Sequence, residues 1–191
     1  MTGRTHDLAA FTAINYIIAT QPLLSMSLST GFVALAANMI GGVAPDIDQP
    51  TADLWNKLPA GSIIGRIITP IMGGHRFISH SLLGMALWGF GLKLILARLH
   101  SVLLVDMDIV WWTFMIGYAS HLIMDTFTKE GVPWLFPIPF RFGIPPLKFL
   151  RIQTGGIVEK AMVFPALMVG NGYLIYHHYG KYLDLLRHYI K

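Results

Sequence analysis

The chain has 191 residues, 54% of them hydrophobic and only 13% charged, about half the ~25% charge of an ordinary soluble domain. That balance excludes a disordered or fibrous chain and leaves too little polar surface to cover a soluble globule. The net charge of +4 comes without any Lys/Arg-rich run, so it suits loops facing an anionic membrane leaflet and gives no sign of direct nucleic-acid binding.

Five apolar runs follow one another, at residues 8–24, 28–44, 81–99, 109–124 and 161–179. Each is at or just below the ~20 residues that cross ~30 Å of hydrocarbon. Arg4 ahead of the first run imitates a signal peptide, but Asp7 intervenes and no small-x-small cleavage site follows, so the run is read as retained. Residues 49–74, with Pro50, Pro59, Pro70 and several glycines, read as a long loop holding a short helix at 63–68. Residues 126–156 carry five prolines and the aromatics Trp134, Phe136, Phe140 and Phe142. That segment cannot be one continuous helix, and its aromatics suit the headgroup region. The expected fold is therefore all-α, an integral membrane helical bundle of about five spans. Residues 1–180 form one domain, and 181–191 a short basic C-terminal tail.

Five spans place residues 1–7, 45–80 and 125–160 on one membrane face. That face carries nine of the 14 Lys and Arg residues, which favours it as cytoplasmic. It also collects His6, Asp46, Asp48, His75, His80, His121, Asp125 and Glu159. His100, Asp106, Asp108, His177, His178, Asp184 and His188 fall on the opposite face or in the tail, and Asp106 and Asp108 read as solvated loop residues.

Cysteine is absent, so a metal would have to be held by His, Asp and Glu. That donor set selects zinc, manganese, iron or magnesium. His121 and Asp125 stand i, i+4 in an apolar run, on one helix face and within one coordination sphere. Such a pair in an apolar run is costly unless a metal or partner neutralises it. The alternative is a His–Asp hydrogen bond at a helix end. Asp46 and Asp48 can both turn toward one cation, or one can ligate while the other orients a histidine; an isolated pair of this kind is also a common solvated turn. His75, Arg76 and His80 surround the start of the third run, where Ser79 or a neighbour can cap the helix and Arg76 can meet an anion. Interfacial histidines with a positive-inside arginine are the plainer account. Thr154-Gly155-Gly156 with Glu159 can be a backbone approach to a ligand or a plain glycine turn. His6 alone reads as a surface residue. Together the set exceeds one tetrahedral site, so two metal ions are conceivable.

At these residues the sequence resembles the YdjM-like family, described as inner-membrane-associated, metal-dependent hydrolase-like and LexA-binding. The matching blocks are Thr5–His6, Pro45-Asp-Ile-Asp48, His75-Arg-Phe-Ile-Ser-His-Ser81, Gly117-Tyr-Ala-Ser-His-Leu-Ile-Met-Asp125 and Gly131-Val-Pro-Trp-Leu-Phe-Pro137. Ala44 stands where the family commonly has Leu, Ser79 where it has Thr, and its Gly-x-x-x-Glu element is matched loosely by Gly155 and Glu159. Thr5–His6 and His121-x-x-x-Asp125 are also distantly similar to zinc-dependent phospholipase C and P1-type nucleases, which implies phosphoester hydrolysis.

The resemblance implies a multi-pass protein of the bacterial inner membrane with its site on the cytoplasmic face. On this reading His6, Asp46, Asp48, His75, His80, His121, Asp125 and Glu159 bind metal, zinc first, and Asp48 and Arg76 serve catalysis. A metal-activated water would cleave a phosphoester of a membrane lipid or lipid-linked substrate. A LexA association is implied by the family's description alone. The alternative is a non-enzymatic membrane metal-binding or transport protein, or a regulator that docks a soluble partner.

Overall fold

The computed structural model describes residues 1–22, 26–49, 55, 63, 65–66, 77–100, 102–138 and 140–190. Its elements are α-helices joined by short 3-10 and π turns, and no β-strand occurs among the described residues. Helix α1 spans Gly3–Thr20 and α2 spans Leu28–Val43, which runs on into a 3-10 turn at Ala44–Asp48. Helix α3 spans Leu82–Leu99 and α4 spans Met107–Thr126. A π turn at Glu159–Val163 leads into α5, Phe164–His177, and α6 spans Tyr179–Ile190.

The five apolar runs thus correspond to α1 to α5. Their starts follow local chemistry more than hydropathy. The Ser27 hydroxyl caps α2 by accepting from Thr30 N at 3.1 Å, and Ser81 caps α3 by accepting from Gly84 N at 3.0 Å. Asp106, read from sequence as a solvated loop residue, is the N-cap of α4 and accepts from Asp108 N and Ile109 N. Of the short helix expected at 63–68, Ile63, Gly65 and Arg66 are helical and the rest lies outside the described residues.

The basic C-terminal tail packs back on α1. It is helical from Tyr179, and Lys181 Nζ donates to Ala19 O (2.7 Å) and Gln21 O (3.1 Å), satisfying carbonyls at the C-terminus of α1.

Helices α2 and α4 form the tightest pair, because glycine faces backbone on both sides. A Cβ at Gly117 would collide with Asn38 O, and one at Gly41 with Phe114 O. Asn38 Nδ2 donates to Thr113 O at 3.1 Å across the same seam. Small residues and an interhelical amide bond are how helices associate in lipid, where no hydrophobic driving force pulls them together. Helix α5 joins α1 similarly: Asn15 Nδ2 donates to Asn171 Oδ1, and Asn171 Nδ2 to Thr12 Oγ1, both at 2.7 Å. Phe114, Tyr118, Leu122 and Val132 form the main apolar core beneath the site.

Among the described residues two helices are long and apolar enough to cross a membrane, α2 with its 3-10 extension (Leu28–Asp48) and α3. Large apolar side chains point outward on several helices, among them Phe32, Phe90, Leu94, Trp112 and Val169. Large apolar side chains exposed on so many helices suit a membrane or partner interface.

The proline-rich segment is folded back on itself. Val132 and Phe142 exchange two backbone hydrogen bonds (2.8 and 2.9 Å). Arg151 donates from Nε to Pro145 O at 2.7 Å and from Nη2 to Pro146 O at 2.8 Å. Leu82 N donates to Trp134 O at 3.0 Å, tying this segment to the first turn of α3.

Candidate metal centre

The close α2–α4 seam sets the centre. One turn beyond Gly117, His121 reaches across and donates from Nδ1 to Gly42 O at 2.7 Å. That bond selects the tautomer and leaves Nε2 pointing into the cluster. Asp125, one turn further on, places Oδ2 3.7 Å from His121 Nε2. The i, i+4 face read from the sequence is formed.

The 3-10 turn that ends α2 divides the work of its two aspartates. Asp46 Oδ1 lies 3.6 Å from both His121 Nε2 and His80 Nε2. Asp48 instead faces the other side of His80, with Oδ2 3.4 Å from Nδ1. Asp48 also accepts a short hydrogen bond from Ser79 Oγ, and Ser79 Oγ is 3.0 Å from His80 Nδ1. Tyr118 donates its hydroxyl proton to Ser79 O. Asp48, Ser79, His80 and Tyr118 are all fully buried. Asp48 and Ser79 orient His80 so that Nε2 faces the cluster, 3.2 Å from His121 Nε2 and 3.6 Å from Asp125 Oδ2. Ser79 and Tyr118 have roles that the sequence did not disclose beyond a capping function for Ser79. Tyr118 sits three residues before His121, the one signal that could have found it.

His6 is inside α1, since the helix starts at Gly3, ahead of the apolar run. It is 0% exposed and stacks on His121 at 3.6 Å between ring centroids. Its Nε2 is 3.2 Å from Asp125 Oδ1, yet neither ring nitrogen makes a hydrogen bond to a described residue. The reading of His6 as a surface residue is overturned by this packing.

Among the described residues two groups of ligand atoms converge closely enough to share an ion: His6, Asp46 and His121, and His80, His121 and Asp125, with all atoms of a group within 4.8 Å of one another. Nitrogen and carboxylate donors, and a buried imidazole with neither nitrogen bonded to a described residue, could hold a metal ion. The Met1 amino nitrogen also contacts Asp125 Oδ1. Burial opposes protonation of His80, but Asp46 and Asp48 outweigh it and raise its pKa above the ordinary imidazole value.

Glu159 lies outside both groups. It is 1% exposed and its Oε1 accepts from Thr2 N, Thr2 Oγ1 and Thr5 Oγ1 at 2.6–2.7 Å. Its Oε2 accepts from Gly155 N at 2.7 Å, where Gly155 adopts φ +71°. It locks the first turn of α1, which carries His6, to the start of α5. Burial pushes its carboxyl up, and these donors more than reverse that, taking the pKa down to about 2. His75 and Arg76 lie outside the described residues.

No solved structure gives a significant match to this chain. Among curated proteins, YvsG of Bacillus subtilis (strain 168) is 31% identical over 179 residues, covering 92% of this chain and 95% of that protein. The inner membrane protein YdjM of Escherichia coli (strain K12) is 33% identical over 118 residues, covering 61% of this chain and 54% of that protein. The family model described as YdjM inner membrane protein matches residues 1–181. With nearly the whole length matched, the chain belongs to the YdjM inner membrane protein family.

Proposed function

We propose that this protein is a multi-pass membrane hydrolase whose metal centre, at the cytoplasmic face, cleaves a phosphoester of a membrane lipid or lipid-linked substrate. One observation carries the reading: three imidazoles and two carboxylates from four chain segments converge, and His6 brings two unbonded ring nitrogens into that buried set. Burying so many ionisable groups is unfavourable unless a cation holds them together. His6, His80, His121, Asp46 and Asp125 would hold the metal, zinc first, and Asp48 would position His80. A divalent metal there supplies Lewis acidity toward a phosphoryl oxygen and lowers the pKa of water toward neutrality.

Asp46, the most exposed of the five at 18% of its side chain, marks where a substrate group could approach. Arg76, four residues before His80 in sequence, would meet charge on the phosphoryl group. The likeness to zinc-dependent phospholipase C and P1-type nucleases supports this through Thr5–His6 and His121-x-x-x-Asp125 alone. Five spans, α1 to α5, would put the centre at headgroup depth beside aromatics such as Trp134 and Phe142.

A second reading, a metal-binding protein without hydrolytic activity, is favoured by the near-complete burial of His6, His80, His121 and Asp125. Metal analysis of detergent-purified protein is the first test. Wild type should retain at least about one divalent ion per chain, and His121→Ala and Asp46→Ala should each lose it. A folded wild type that binds neither zinc nor manganese would overturn the metal centre. Metal retained with no cleavage across a panel of lipid phosphoesters would leave the second reading.

A further inference from the structure

A second feature lies on the same face, outside the metal cluster. A cavity of about 410 Å³ opens between the first turn of α1 and the π turn before α5, lined by Thr2, Gly3, Arg4, Thr5, Lys160 and Phe164. Arg4 and Lys160 are both exposed. Neither has an ion-pair partner among the described residues. The nearby carboxylate, Glu159, is turned onto Thr2, Thr5 and Gly155 and satisfied by four hydrogen bonds. Two cations beside a single carboxylate, whose oxygens are already engaged by N–H and O–H donors, leave the cavity net positive, which favours an anion.

Its surroundings narrow the anion further. Phe164 lines the cavity and is half-buried. Ile157, Met162, Met168 and Val169, on the same chain segment, are 55–83% exposed. Cationic side chains at the end of a bundle, with exposed apolar side chains running away along the next helix, match a phosphate headgroup with acyl chains attached.

A larger cavity of about 540 Å³ at the opposite end offers a contrast. It holds Lys93 and His100, but Asp106 and Asp108 line it too, and Lys93 Nζ sits 5.7 Å from the centroid of the Trp111 ring. Its charges are balanced within the cavity, so it has no comparable preference for an anion.

We infer that the Arg4–Lys160 cavity is a binding site for the phosphate of an anionic phospholipid, distinct from the metal centre. The bound lipid holds the end of α1 against the start of α5 and is not hydrolysed there. This inference stands independently of any hydrolytic activity.

The test is native mass spectrometry of the intact detergent-purified chain, titrated with phosphatidylglycerol or phosphatidylcholine of the same acyl chains. Wild type should retain phosphatidylglycerol in preference. R4Q/K160Q should weaken that retention about tenfold, the scale set by two basic side chains near a lipid phosphate. R4K/K160R should keep the preference, and K93Q, in the other cavity, should leave it unchanged. Should the double variant fold poorly, K160Q alone, on an exposed side chain, still reads the loss. Equal retention by R4Q/K160Q and wild type would overturn the site, as would an equal loss in K93Q. Displacement of phosphatidylglycerol by an equimolar amount of soluble glycerol phosphate would show that acyl chains contribute nothing, and would overturn a lipid as the ligand. Metal content, measured on the same samples, reads the metal centre separately.

Discussion

Asp46 and Asp48 are chemically alike and two residues apart, yet the 3-10 turn sends them to opposite sides of one imidazole. Asp46 faces the ligand side of His80, and Asp48 with Ser79 faces the orienting side. Removing an orienting partner should loosen His80 without deleting a ligand. Asp48→Asn and Ser79→Ala are expected to lower metal affinity about 10- to 100-fold, read by competition with a chromophoric chelator, while His80→Ala abolishes high-affinity binding. Glu159 works through geometry of another kind, since three of its four hydrogen bonds join the start of α1 to the start of α5. Its folded-state pKa of about 2 lies below the ordinary 4.5. The stability it contributes is therefore fully present above about pH 4.5 and is lost as pH falls toward 2. Thermal melts across that window should show a slope in wild type that Glu159→Gln flattens.

At the level of elements, the site depends on how closely α2 and α4 approach. His121 bonds Gly42 O only because Gly117 and Gly41 admit the neighbouring backbone. Gly117→Ala should push the helices apart and destabilise the protein by about 1–3 kcal/mol, measured by unfolding in detergent. It should also cut metal content, although residue 117 has no ligand atom. An unchanged Tm with full metal occupancy would refute this link between seam and site. The helical tail belongs to the same scale. Residues 181–191 read from sequence as a short basic tail; the three-residue spacing of Lys181, Asp184 and Arg187 puts them on one helix face, and Asp184 pairs with Arg187 at 3.9 Å.

For the whole molecule, the proposed five spans predict a definite sidedness. The α3–α4 connection and the segment between α4 and α5 should lie on opposite faces of the membrane. The natural chain lacks cysteine, so single substitutions can be labelled without background. Leu104 is 96% exposed and Phe149 75% exposed. In intact cells an impermeant maleimide is expected to label Leu104→Cys, and Phe149→Cys only after the membrane is permeabilised. Labelling of both before permeabilisation would contradict the arrangement with the metal centre facing the cytoplasm.

Sparse charge and five apolar runs made the helical, membrane-associated character legible from the sequence, because hydropathy is a sum over residues and needs no partner. The His121–Asp125 face was legible too, since helical periodicity fixes which side chains share a side. The aspartate motif left its alternatives open, and the tertiary structure sets Asp46 on the Nε2 side of His80 and Asp48 on the Nδ1 side. His6 could not be placed from sequence, because a lone histidine near a terminus has no local pattern, and only the packing of α1 on α4 stacks it on His121. Glu159 was legible as an acid near a glycine turn, but its hydrogen bonds to Thr2 and Thr5 span more than 150 residues. Local spacing determines what one helix can present; which presented groups meet is decided by helix–helix approach, here by the seam at Gly41 and Gly117.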